Sequence, residues 1–276
     1  MSQVDHYLGN PLLKKSNVPV EWTKDQILEY QKCMKDPLYF ISNYIRIVSL
    51  DEGLVPFNMF PFQKEMVGTV HNNRFTICKM PRQSGKSTTL VSYILYYVLF
   101  NSNMNVAILA NKASTARDIL GRLQLAYENL PKWLQQGVMS WNKGSLDLEN
   151  GSRIVASSTS SSAVRGGSYN MIFLDEFAFV PNTVAEDFFS SVYPTISSGK
   201  STKVIIVSTP NGMNLFYKLW VDAENKRNSY NIIDVHWSEV PGRDAKWREE
   251  TIANTSEEQF RREFECEFLG SANTLI

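Results

Sequence analysis

The stretch Met80-Pro81-Arg82-Gln83-Ser84-Gly85-Lys86-Ser87 decides the fold, because it separates two segments of different periodicity. Arg74 to Lys79 (RFTICK) has the β-branched content and alternation of a strand, and Ser87 to Phe100 (STTLVSYILYYVLF) is long and apolar enough for a buried helix. Strand, tight loop and helix is the setting of a phosphate-binding loop, in which a helix N-terminus offers unpaired N–H groups and the positive end of its dipole. Gly85 lets the backbone approach phosphate with no Cβ in the way. Lys86 can place its ammonium between the β- and γ-phosphates, and the hydroxyl of Ser87 can ligate Mg²⁺. Gln83, Ser84 and Thr88 complete the set expected around the phosphates of ATP. Met80 stands where the pattern G-x-x-x-x-G-K-[ST] has its first glycine.

Upstream, Phe62-Gln63 precedes a short helix leading into the loop's strand. A glutamine amide can donate to and accept from an adenine edge at once, and the neighbouring aromatic ring can stack on the base. An exposed helix-start glutamine beside core aromatics is the plain alternative. Thr23 followed by Gln26 reads as a capping box opening a helix through Lys35, and Asp36-Pro37 starts another, Leu38 to Ile47. The first 21 residues carry Pro11 and Pro19 and no periodicity, and read as an extended arm.

Downstream, Val106 to Ala110 is a short buried strand, and Ser114 to Leu130 a helix with apolar positions at Ile119, Leu120, Leu123 and Tyr127. This succession predicts an α/β fold with a mainly parallel sheet covered on both faces. Ser145 to Leu148 and Arg153 to Ala156 flank Asn150-Gly151, a strong hairpin signal. Ser157 to Ser168 is rich in Ser and Gly and presents Arg165, which reads either as an arginine finger or as a solvated linker arginine. Met171 to Leu174 is a buried strand ending in Asp175-Glu176. At the carboxyl end of such a strand Asp175 would hold Mg²⁺, and Glu176 would orient and deprotonate an attacking water. Lys203 to Val207 is a further buried strand, ending in Ser208-Thr209-Pro210-Asn211-Gly212. Those hydroxyls could sense the γ-phosphate and couple it to the helix beyond, Leu215 to Asn225, though Pro-Asn-Gly also makes an ordinary turn. The expected division is an arm and helical preface (1–50), a P-loop ATPase core (51–212), a small second subdomain (213–270) and the start of a linker (271–276).

With 276 residues, 43% of them hydrophobic and 20% charged, the chain can bury a sizeable core. Lys plus Arg and Asp plus Glu both number 28, so whole-molecule charge gives no reason for tight binding to nucleic acid or to an anionic membrane. No run of eighteen apolar residues exists, and the N-terminus lacks the layout of a signal peptide. Cys33, Cys78 and Cys266 lie far apart and are odd in number, which argues against a disulfide framework. His6, His71 and His236 have no partner at metal-ligand spacing.

Taken in order, Arg82-Gln83-Ser84-Gly85-Lys86-Ser87, Trp141-Asn142-Lys143-Gly144-Ser145, Val164-Arg165-Gly166, Asp175-Glu176-Phe177-Ala178-Phe179 and Ser208 to Gly212 resemble the ATPase domain of tailed-phage large terminases, the T4-like group especially. The resemblance spans nearly the whole chain. A glycine-poor phosphate loop with an internal arginine is a trait of that family and accounts for Met80. It implies a RecA-like, additional-strand P-loop NTPase that hydrolyses ATP with Mg²⁺ and pumps double-stranded viral DNA into a procapsid. The implied partners are the portal protein, the small terminase subunit and further copies of the chain in a ring, a pentamer by resemblance. The implied place of action is the host cytoplasm, docked on the procapsid, with no membrane and no secretion.

Residue by residue, the resemblance implies that Lys86, Ser87, Asp175 and Glu176 form the hydrolytic site, that Ser208 and Thr209 belong to a coupling motif, and that Gln63 reads adenine. Arg82 or Arg165 would supply charge to the transition state. The family also carries a C-terminal nuclease, for which no later acidic cluster is present, so no nuclease activity is expected of this chain. The rival readings are one lobe of a superfamily-2-like helicase, which would need a second lobe, and a non-catalytic nucleotide-binding scaffold, for which Glu176 would be superfluous.

Overall fold

The computed structural model describes residues 5–49, 51–160 and 167–270. Two helices come first, α1 (Lys24–Lys35) and α2 (Pro37–Tyr44), followed by a hairpin of β1 (Arg46–Ser49) and β2 (Gly53–Pro56). Then follow α3 (Pro61–Asn72), β3 (Phe75–Lys79), α4 (Lys86–Phe100), β4 (Asn105–Ala110) and α5 (Ala113–Glu128). A three-stranded extension, β5 (Val138–Trp141), β6 (Ser145–Leu148) and β7 (Arg153–Ser158), leads to β8 (Met171–Asp175), α6 (Asn182–Ser198) and β9 (Lys203–Ser208). The chain closes with α7 (Leu215–Glu224), β10 (Asn231–Asp234), α8 (Ala245–Asn254) and α9 (Glu257–Glu263).

Among the described residues, eight strands form one sheet in the order β10-β3-β9-β8-β4-β7-β6-β5. Every pairing from β10 to β7 is parallel, and β6 and β5 add antiparallel. One strand, β9, therefore stands between the strand of the phosphate loop and the strand of the acidic pair. The strands read as continuous apolar runs because each side is covered. Val106, Ile108 and Ala110 of β4 join the cluster containing α2 to α5, and Ala107 and Leu109 join the one built by α6 and α7. Helix α4 is buried almost all round, hence its near-unbroken apolar sequence.

The fold departs from several expectations. The expected extended arm is pinned to the body at residues 13–15: Leu13 is buried, Lys15 bridges Val138, and the Lys14 ammonium lies 3.1 Å from Glu149. Residues 213–270, expected as a second subdomain, instead place β10 on the edge of the main sheet and Phe216 and Trp220 in its core. What remains separate is an aromatic satellite of Trp237, Trp247, Phe260 and Phe264. Helix α6 and the β1–β2 hairpin have no counterpart in the sequence reading. The capping box of α1 forms as read, with Thr23 Oγ1 accepting from the Gln26 N–H and Gln26 Oε1 from the Thr23 N–H.

Candidate active site

The carboxyl ends of β3, β8 and β9 converge on one place. After β3 the chain turns through Gln83 (φ 54°) and Gly85 (φ 78°), two successive departures into the left-handed region, and enters α4 at Lys86. A side chain on Gly85 would put its Cβ 2.5 Å from Gln63 Nε2, so the glycine is needed for both conformation and space. Ser84 is buried and its hydroxyl closes the loop on the Pro81 carbonyl at 2.8 Å.

The two halves of the predicted hydrolytic set touch. Ser87 Oγ donates to Asp175 Oδ2 at 2.7 Å, and Lys86 Nζ lies 3.0 Å from Glu176 Oε1. Asp175 is only 2% exposed, and its second oxygen accepts the Glu176 N–H at 3.1 Å. Burial pushes its carboxyl up to about 6; Lys86 and the two hydrogen bonds pull it down, while Glu176 adds to the rise. Glu176 itself sits at φ 50°, ψ 40°, a left-handed conformation costly for a residue with a Cβ. Strain of this kind concentrates where a side chain must be aimed.

A half-buried hydroxyl beside a buried carboxylate is a hard-oxygen donor pair suited to Mg²⁺. Among the described residues no cluster of three or more His, Cys, Asp or Glu side chains could hold a metal by itself. A divalent ion here would therefore complete its shell with phosphate oxygens and water, which is how Mg²⁺ accompanies a nucleotide.

Beside the loop lies a cleft of about 570 Å³, lined among others by Ile47, Phe60, Gln63, Gln83, Thr88 and Val240. Gln63 is buried, and its amide donates to the Ser84 carbonyl at 3.1 Å while accepting the Phe60 N–H at 2.9 Å. It thus braces the phosphate loop and faces the cleft. Phe62, expected to stack on the base, is 4% exposed and packs in the core; Phe60, two residues earlier at the N-cap of α3, lines the cleft in its place. The β1–β2 hairpin and Val240, both on the cleft wall, escaped the sequence reading.

Ser208 and Thr209 are fully buried. Ser208 Oγ accepts the Ala178 N–H at 3.1 Å, its carbonyl accepts the Met80 N–H at 3.2 Å, and Thr209 Oγ1 donates to the Met80 carbonyl at 3.3 Å. The tip of β9 is therefore bonded to the phosphate loop on one side and to the turn after Glu176 on the other. Asn214 Nδ2 donates to the Ala178 carbonyl at 2.7 Å while its Oδ1 caps α7, which extends the connection to that helix. Arg82 is ion-paired, its Nε 2.6 Å from Glu263. Arg165 lies outside the described residues.

A phosphate loop after β3, an acidic pair after β8 two strands away, and β9 between them define a P-loop NTPase of the RecA-like kind. Residues 77–276 match the family model described as terminase large subunit, T4likevirus-type, N-terminal. The chain belongs to that family, and its function is that of the ATPase motor region of a phage DNA-packaging terminase. Solved structures share the fold. The Thermus phage P74-26 large terminase ATPase domain aligns with a TM-score of 0.59 at 22% identity, over 74% of this chain and 92% of that one. The HK97 bacteriophage large terminase gives 0.70 at 17% identity, over 85% of this chain and 55% of that one. The large terminase of a thermophilic bacteriophage, solved in complex with ADP, gives 0.61 at 13% identity, over 76% of this chain and 54% of that one. The helicase reading is not favoured beside this family.

Proposed function

We propose that this chain binds ATP with Mg²⁺ between the phosphate loop and the acidic pair and hydrolyses it to drive double-stranded DNA into a procapsid. The observation that carries this reading is the paired contact of Ser87 with Asp175 and of Lys86 with Glu176, which puts the phosphate-binding groups and the base within one small volume. ADP bound to a terminase of the same fold supports a nucleotide ligand.

In this reading the base occupies the cleft beside Phe60 and Gln63, and the triphosphate lies on the loop amides of Gln83, Ser84 and Gly85, with Thr88 at the first turn of α4. Lys86 leaves Glu176 for the γ-phosphate as substrate arrives. Ser87 and Asp175 would hold Mg²⁺, which would supply positive charge to offset that of the phosphates. Glu176, released, accepts a proton from water; the resulting oxygen forms the new bond to γ-phosphorus as the bond to the β–γ bridging oxygen breaks, leaving ADP and phosphate. Arg82 or Arg165 stabilises the charge that develops. Ser208 and Thr209 pass the change to the turn at Ala178 and on to α7. The portal, the small terminase subunit and neighbouring copies in a ring are the proposed partners, in the host cytoplasm on the procapsid.

The test is Glu176→Gln. Turnover is expected to fall roughly 10²-fold or more while ATP still binds; near-normal turnover would sink the assignment. Mixing Arg165→Ala with Glu176→Gln subunits decides between the arginines. Recovered activity assigns a trans role to Arg165, and none at any concentration favours Arg82.

A further inference from the structure

The aromatic satellite encloses an arginine. The Arg243 guanidinium lies over the Trp247 ring at 4.9 Å and over the Phe264 ring at 5.4 Å, and those rings pack on each other at 5.1 Å. From this socket Nη2 donates to the Arg82 carbonyl at 2.8 Å and to the Gln83 carbonyl at 3.3 Å. The Arg82 N–H donates to the Glu263 carbonyl at 3.0 Å, so residues of the closing segment hold loop residues 82 and 83 from outside.

A trans peptide is planar, with its carbonyl and the following N–H pointing in opposite directions. Fixing the carbonyls of residues 82 and 83 on Arg243 therefore turns the N–H groups of Gln83 and Ser84 to the opposite side, the inside of the loop. The left-handed φ of Gln83 lets consecutive amides converge there, as in anion-binding backbone nests.

We infer that Arg243 is a positioning residue of the phosphate site, orienting the loop amides that receive the β-phosphate without touching the nucleotide. This rests on the ATP reading above. The planar fork, lying against two rings set at 89° to each other, suits that task, and a lysine ammonium, with the same charge, cannot reproduce it.

The experiment titrates ADP onto the full chain as wild type, Arg243→Lys and Trp237→Leu, with melting temperatures taken without nucleotide. Trp237 packs in the satellite on Trp247 and Phe260, so its substitution reports on packing alone. Arg243→Lys is expected to melt within a few degrees of wild type yet bind ADP about tenfold more weakly. Trp237→Leu is expected to melt lower and keep ADP affinity within about twofold. Arg243→Lys binding like wild type overturns the inference, as does an equal affinity loss in Trp237→Leu. Wild type failing to bind ADP overturns the nucleotide-site reading first, and this inference with it. Should Arg243→Lys not fold, Arg243→Gln, which keeps an amide donor, replaces it under the same two criteria.

Discussion

The ammonium of Lys86 lies 3.0 Å from the carboxylate of Glu176, so the cation proposed for the γ-phosphate is held by the group proposed to activate water. Both side chains are largely shielded, at 7% and 24% exposure, where such a pair is screened less than at the surface. Substrate must take Lys86 from Glu176, and competition follows. Glu176→Gln removes the competing charge and is expected to bind ATP severalfold more tightly than wild type, on the order of 1 kcal/mol, while hydrolysis fails. Equilibrium titration under non-hydrolysing conditions decides; equal or weaker binding would show that the pair does not compete.

Asp175 makes a pH-dependent prediction. Its carboxyl is raised to about 6 chiefly by burial, so the folded state holds this proton more tightly than the unfolded chain does. Stability from this group is fully present below about pH 4 and is lost as pH rises through about 6, by an amount on the order of 2–3 kcal/mol. Without metal, Asp175→Asn is expected to be the more stable protein at pH 7 and to lose that advantage near pH 4, while its Mg²⁺-dependent turnover disappears. Urea midpoints at the two pH values test this. A difference that does not change with pH contradicts it.

Gly85→Ala sets a methyl group 2.5 Å from Gln63 Nε2, at a φ of 78°. The glutamine can yield only by giving up the Ser84 carbonyl, and the backbone stays strained. A stability loss of about 1–3 kcal/mol is expected, with ADP affinity down at least tenfold. Calorimetric titration showing unchanged affinity would mean that the Gln63 brace is dispensable.

Lys14→Met tests the pinned arm. Burial pushes the Glu149 carboxyl up, but the Asn17 and Gly137 N–H groups and Lys14 hold it below the ordinary carboxylate range. Removing the ammonium leaves that carboxylate short of a partner. The expected cost is about 1–3 kcal/mol in a denaturant curve, the low side for a shielded pair because Glu149 keeps its two amide donors. Nucleotide affinity should not move; a parallel fall in ADP binding would show that the arm communicates with the site.

Strands β3, β4, β8 and β9 were legible because each is buried on two faces and stands out as a short apolar run before a turn. The acidic pair and the phosphate loop were legible because their chemistry is local. Helix α6 carries its own signal, Ala185, Phe188, Val192 and Ile196 at helical spacing, but Pro194 and the surrounding serines obscured it. Arg243 was out of reach for another reason. It lies 161 positions from Arg82, and nothing near either residue signals the other. The same holds for Phe60 and Phe62: which of two close aromatics enters the core is settled by the direction in which α3 leaves the loop.

The hydrogen bonds at Ala178 use its peptide groups, the N–H donating to Ser208 and the carbonyl accepting from Asn214 and Asn211. Alanine scanning cannot reach the Ala178 side of this link, and at the partners it removes more than the link, since Ser208 Oγ also donates to the Thr209 carbonyl and Asn214 also caps α7. Replacing the amide preceding Ala178 by an ester would delete the N–H and leave every side chain in place, so a backbone edit is the tool that separates force transmission from ATP chemistry in this motor.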